Sequence, residues 1–227
     1  MLAAIALTPS APVLVPELAG RAAAEVAEFR TAAIEAAGAL PDQWIAIGVG
    51  PDELAMTRVR GTFAGYGADI GVSLCPEQLG SPTAMPLCAL FAGWLRGQAN
   101  PAATVSVRVL PGDLSAGEAL ARGRLLRQLI DEAPEPIGVL VVADGLNTLG
   151  PSAPGGEDPG AGAVQAALDD ALATGDTSVL AGLPESVVGR VAYQVLAGLC
   201  EPGPSTAREL IRGAPYGVGY FVGVWLP

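Results

Sequence analysis

"WIAIGVG", residues 44–50, is an apolar run bounded by Asp42-Gln43 and Pro51-Asp52, with no polar residue alternating through it. A strand with one wet face alternates polar and apolar side chains, whereas an unbroken run fits a strand buried on both faces of a helix-covered parallel sheet. The segment upstream supplies the rest of such a unit. Leu2 to Leu7 reads as a strand, and Glu17 to Leu40 as a helix with Val26, Phe29, Ala33 and Ala37 at helical spacing and Pro41-Asp42 as its stop. Strand, helix, strand is the βαβ unit.

Downstream the pattern continues. Residues 51 to 82 are Gly-rich and irregular, with a strand at Ile70 to Cys75. A helix is predicted over Pro82 to Gly97 with Pro86 in its first turn, then a strand over Thr104 to Leu110. Ser115 to Ala133 reads as a helix whose buried stripe is Leu120, Leu125 with Leu126, and Leu129 with Ile130. Ile137 to Val142 is the strongest strand. "LGPSAPGGEDPGAG", residues 149–162, is too rich in Gly and Pro to be regular, and a loop of that length reads as a lid or site wall. Helices follow at Ala163 to Thr174, after an Asp176 N-cap, and at Glu185 to Cys200, the last with an apolar face of Val188, Val191, Val195 and Leu199; a final strand lies within Gly213 to Trp225. The expectation is one α/β domain, residues 1–227, with a central, largely parallel or mixed sheet flanked by helices.

Composition narrows the function. With 51% hydrophobic and 15% charged residues the chain is globular, and no apolar run approaches the ~20 residues of a membrane span. A net charge of −11 without a basic cluster argues against nucleic acid and anionic membranes. MLAAIAL has no basic leader region and reads as a core strand, and three widely spaced cysteines fit a reducing compartment, so a cytoplasmic protein is expected. The histidine count is zero, which excludes Ser-His-Asp, Cys-His and imidazole–metal chemistry.

Four segments carry candidate sites. In "LTPSAPVLVPEL", residues 7–18, a strand ends in a proline-bounded loop that holds Ser10 and Pro12 still. Gly48-Val49-Gly50 lets a phosphate or adenosine approach, or makes a tight strand-to-loop turn; Asp52 and Glu53 stand where a phosphate would sit. Asp144, Asn147 and Thr148 follow the strongest strand, where open α/β sheets place ligands, and read either as polar ligand contacts or as a locally satisfied Asp-Gly turn. Glu157 and Asp158 could join Asp144 around a hard cation. Tyr216 and Tyr220 flank glycines that admit a ligand or another backbone, or else cover the core.

Taken in order, PSAPVLVPEL, IGVGP, VVADGLNT, AALDDALATGD and APYGVGYFVGVW resemble the catalytic B subunit of class III extradiol ring-opening dioxygenases. The resemblance implies a single B-subunit-like domain, and in active members Fe(II) held by two His and one Glu, with a further His as acid/base. Here Ser10 and Gly50 stand at the positions of the two histidines, Arg190 at that of the glutamate, and Thr148 at that of the acid/base histidine. No cofactor is therefore expected, and the chain reads as a catalytically degenerate relative. Three readings remain open. The old cleft, lined by Ser10, Pro12, Gly50, Asp144, Asn147, Thr148 and Tyr216, binds a small polar or aromatic molecule or a protein partner. Alternatively the chain is a hydrolase or lyase with Asp144 as base and Thr148 or Ser10 as donor or nucleophile, or a metal site has been rebuilt from Asp144, Glu157 and Asp158. Aromatic residues near the C-terminus admit a homodimer, and helical spacing leaves Arg190 facing either solvent or the cleft.

Overall fold

The computed structural model describes residues 1–77 and 80–227. Its strands are β1 (Leu2–Thr8), β2 (Gln43–Gly50), β3 (Leu54–Thr57), β4 (Arg60–Thr62), β5 (Gly71–Ser73), β6 (Thr104–Pro111), β7 (Ile137–Val142), β8 (Thr206–Gly213) and β9 (Tyr220–Leu226). Its α-helices are α1 (Pro16–Ala19), α2 (Ala27–Gly38), α3 (Leu87–Ala99), α4 (Ala116–Glu132), α5 (Ala161–Thr174), α6 (Thr177–Ala181) and α7 (Arg190–Leu199). Seven strands form one mixed sheet in the order β3-β6-β2-β7-β1-β9-β8, and β4 and β5 form a separate hairpin. β6, β2, β7 and β1 run parallel, with β3 antiparallel on one flank and β9 and β8 on the other.

The parallel centre is the part that the unbroken apolar runs demand. Val139 and Val141 pack into one core layer under α4 to α7, and Leu140 and Val142 into the other under α2 and α3. No helix is long and apolar enough among the described residues to cross a membrane.

Several expected elements differ. The single helix over residues 17–40 is broken into α1, a 3-10 turn (Gly20–Ala24) and α2, because Gly20 adopts a positive φ of 55° that ends the first turn. Pro86 is the N-cap of α3 with ψ 159°, so residues 82–85 lie outside the helix. α7 starts at Arg190 behind a Gly189 N-cap, which leaves Val188 off the helix and exposed. On α4 the buried residues are Ala119, Gly123, Leu126 and Ile130, whereas Leu125 and Leu129 are exposed. β3, β4 and β8 have no counterpart in the sequence reading.

Two glycines set the helix layer. A Cβ on Gly123 would stand 2.1 Å from the Val195 carbonyl oxygen, and one on Gly198 2.2 Å from that of Leu120, so α4 and α7 touch backbone to backbone. Ser115 starts α4 with a reciprocal cap: its hydroxyl accepts from the Glu118 N–H, and the Glu118 carboxylate accepts from the Ser115 N–H.

Candidate functional site

The parallel strands end side by side, and their ladders define a row. Thr8 pairs with Val142 and Gly48 with Val142, so continuing both registers sets Ser10 beside Asp144 and Gly50 beside Asp144. Gly50 is itself paired with Pro111, and on the other flank the lead-in to β9 bonds directly to the chain after Asp144, Gly145 N–H to Gly219 O, which sets Tyr220 near Asp144. The row is Ser10, Asp144, Gly50 and Pro111 at the carboxyl ends of the parallel strands, where α/β sheets present ligand contacts, with Tyr220 at the start of β9 closing it. Three of the residues singled out from sequence thus meet: Ser10, Asp144 and Gly50.

Asp144 is the chemical centre of the row. Its Oδ1 accepts the Ser10 backbone N–H at 2.8 Å, and no other described residue donates to the carboxylate. Burial raises its pKa from the ordinary carboxylate value to about 6, against the lowering effect of the Ser10 N–H. Two tyrosines stand close by. Tyr193, fully buried, donates its hydroxyl to the Ala143 carbonyl at 2.9 Å; burial and then the Asp144 charge raise its pKa. Tyr220 packs edge-on against Phe29 with ring centroids 5.8 Å apart, and its hydroxyl has no hydrogen-bond partner among the described residues; burial and then the Asp144 charge raise its pKa too.

The other candidates fall elsewhere. Tyr216 is at the rim, exposed, with φ 58°, and donates its hydroxyl to Glu25 at 2.7 Å; the tyrosine in the row is Tyr220 instead. Pro12 lies in a 3-10 turn and contributes only its carbonyl, to the Val15 N–H. Asn147 and Thr148 close the long loop through their backbones, accepting from the N–H groups of Gly155 and Asp158, rather than lining the row. Nor is Asp144-Gly145 a tight turn. Residues 145–149 lie against 217–219, with Gly145 N–H bonded to Gly219 O, Gly219 N–H to Leu146 O and Leu149 N–H to Gly217 O.

What fills the space at these glycines is Gln165 of α5. Its Oε1 accepts from Leu146 N–H at 2.9 Å, and a Cβ on Gly145 or Gly219 would come within 2.2 Å or 2.1 Å of that same oxygen. The glycine spacing near the C-terminus therefore serves a buried amide, and Gly217 serves Ala153, whose Cβ lies 2.5 Å from where its own would be. Gln165, a polar residue within an otherwise apolar helix run, is the signal sequence reading passed over.

The residues present do not fit ferrous iron. Ser10 offers only a hydroxyl, and a Cβ at Gly50 would stand 2.6 Å from Val109 Cγ1, so that position has no room for a side chain as Val109 is placed. Arg190 sits at the first turn of α7, half-buried, and donates to Gly112 O and Gln194 Oε1; it braces the loop after β6 and is a cation. Among the described residues no three His, Cys, Asp or Glu side chains gather as a metal cage. The rebuilt carboxylate site is not formed: Glu157 and Asp158 are exposed on the loop, and Asp158 spends its Oδ1 on the Gly160 N–H.

Two concavities lie away from the row. One, of about 280 Å³, runs between β3, β6 and α4 and is mainly apolar; another, of about 530 Å³, lies beside β5 and α3 and is lined by Glu17, Arg60, Glu77 and Arg96. Arg96 is committed to the carbonyls of Ser73, Cys75 and Pro101.

No protein-family model and no curated protein matches the chain. Among solved structures it is similar in fold to the uncharacterized protein JW3007 from Escherichia coli K12, at a TM-score of 0.52 and 10% sequence identity, with 99% of this chain and 100% of that one covered. At that identity the likeness concerns the fold alone: a helix-flanked α/β architecture on a seven-stranded mixed sheet.

Proposed function

We propose that this protein is a catalytically degenerate relative of the ring-opening dioxygenases, and that the row at its strand ends binds a small hydroxylated aromatic molecule without cleaving it. One observation carries the reading: Asp144 presents a carboxylate of which one oxygen is held by the Ser10 N–H and which receives no further donor from the described residues. With a pKa near 6 it is mainly ionised at neutral pH, and its second oxygen, open to solvent, can accept a ligand O–H or N–H. The Tyr220 hydroxyl supplies a second polar contact, and the Tyr220 and Phe29 rings an aromatic wall. The hydrolase or lyase reading has less support, because Asp144 engages the amide of Ser10 and not its hydroxyl, and Thr148 belongs to the neighbouring loop.

Calorimetric titration with catechol at pH 7.5 tests this. Binding is expected in the wild type, weakened about tenfold or more in Asp144→Asn, since a hydrogen bond to a charged group is worth about 1.5–3 kcal/mol. Absence of binding, or binding indifferent to Asp144, overturns the proposal. So does iron-dependent oxygen uptake with catechol.

A further inference from the structure

The two flanks of the sheet are finished differently. β8 carries Arg208, Glu209 and Arg212, which are tied into ion pairs with Glu35 and Asp170 and with each other. Charge of this kind blunts a sheet edge against further strands. β3, with the sequence Leu54-Ala55-Met56-Thr57, has none: it holds no charge and no proline, and its outer backbone groups bond to no described residue. Beside it, α4 turns Leu125 and Leu129 outward, 57% and 51% exposed, and Leu54 is 44% exposed. Leu125 and Leu129 line the 280 Å³ groove together with Ala55 and Arg108, and the Arg122–Glu53 ion pair is part of its wall.

We propose that the β3 edge and this groove form the interface of a two-fold homodimer, β3 of one copy pairing antiparallel with β3 of a second. The choice of a second copy rests on the charges that flank the strand. Asp52 precedes it without an ion-pair partner among the described residues, while Arg58, paired with Glu77 of its own chain at 2.8 Å but still exposed, follows it, so antiparallel pairing of two identical strands brings Asp52 to the Arg58–Glu77 pair at both ends. The faces also agree. Ala55 pairs with Arg108 and lies on the α4 side of the sheet, Leu54 and Met56 on the α3 side. A two-fold axis through the sheet keeps each side with its own kind, which allows the register in which Ala55 faces its own copy, Leu54 faces Met56, and Asp52 faces Arg58. The pairing adds strand hydrogen bonds to an open edge and brings the exposed leucines of both copies to one seam.

Sedimentation equilibrium on the full chain is expected to show a concentration-dependent dimer. Asp52→Arg and Arg58→Asp should each weaken dimerisation by about tenfold, since every reversal occurs twice across the axis, and the double variant should recover most of it. Circular dichroism checks that each variant is folded. Ala55→Cys should give a disulfide-linked dimer under mild oxidation, whereas Thr57→Cys should not; the three native cysteines are buried and give no background. A monomer at every concentration overturns the proposal. A dimer that survives Leu125→Glu and each single charge reversal does so as well, because the interface then lies elsewhere. Capture of a different protein on this groove by an otherwise monomeric chain also counts against it.

Discussion

Ser10 gives its backbone N–H to Oδ1 of Asp144 at 2.8 Å, joining residues 134 positions apart and tying the end of β1 to the end of β7. A half-buried carboxylate restrained by one neutral donor is a source of instability at neutral pH. Burial raises its folded pKa to about 6 from the ordinary 3.8. Between those values the folded chain keeps a proton that the unfolded chain has released, so stability falls as pH rises through about 4 to 6. A rise of about two units corresponds to at most about 3 kcal/mol. Asp144→Asn keeps the acceptor for Ser10 and removes the charge, so the variant should be more stable than wild type at pH 7.5, by about 1–3 kcal/mol, and nearly equal to it at pH 4. Urea midpoints at the two pH values measure this. Asp169, also raised to about 6 by burial, titrates the same way and leaves a residual slope in the variant.

Gln165 couples α5 to both halves of the site loop. Gly145→Ala and Gly219→Ala each drive a methyl into its Oε1 and should cost about 1–3 kcal/mol. Gln165→Ala alone should cost a similar amount, since it strips the Leu146 N–H of its acceptor in a buried place. The combined Gly145→Ala/Gln165→Ala variant should lose clearly less than the sum, because the cavity left by the amide accommodates the new methyl. Additive losses in denaturant titrations would show that the wedge is not what excludes Cβ there.

The strand ends were legible because their physics is local. Ile45 to Val49 and Ile137 to Val142 are apolar without alternation, which demands cover on two faces, and a strand so covered in an α/β sheet delivers Ser10, Gly50 and Asp144 to the same end. What was not legible depends on three-dimensional neighbours. Periodicity places Leu125 and Leu129 next to Leu126 and Ile130 on α4, and nothing in the spacing says that the sheet stops short of two of them. Tyr216 and Tyr220 look equivalent in sequence; a positive φ at Tyr216 sends it to the rim and leaves Tyr220 in the row. β8 shows no apolar run to mark it as a strand, because its charges belong to ion pairs with α2 and α5.

The α4–α7 contact sets propensity against sterics. Ala is favoured over Gly inside a helix by about 1 kcal/mol. At Gly117, where no atom lies within 4 Å of a built Cβ, Gly117→Ala should stabilise by roughly that amount. At Gly123 the nearest atoms are backbone, Val195 O at 2.1 Å and Leu199 N at 2.7 Å, and neither can rotate away. Gly123→Ala should therefore destabilise by about 3 kcal/mol or more, with the helices forced apart. Thermal melts of the pair should move in opposite directions.

Gly50 has no room for a side chain as its neighbours are placed. A histidine there meets Val109 Cγ1 at 2.6 Å from its first side-chain carbon, and Val109, on β6, is fully buried. Gly50→His should lower stability by about 1–3 kcal/mol through overpacking. Shortening the obstacle in Gly50→His/Val109→Ala should return part of that loss, although Val109→Ala by itself removes buried methyl groups and destabilises. The diagnostic quantity is thus the sign of the coupling: a favourable interaction between the two substitutions in chemical denaturation locates the strain at Val109, and its absence would mean that position 50 still has room for an imidazole. Even the accommodated histidine should not bring tight ferrous iron with it, because Ser10 and Arg190 supply no second imidazole and no carboxylate. Metal titration of the double variant followed by equilibrium dialysis checks that last step.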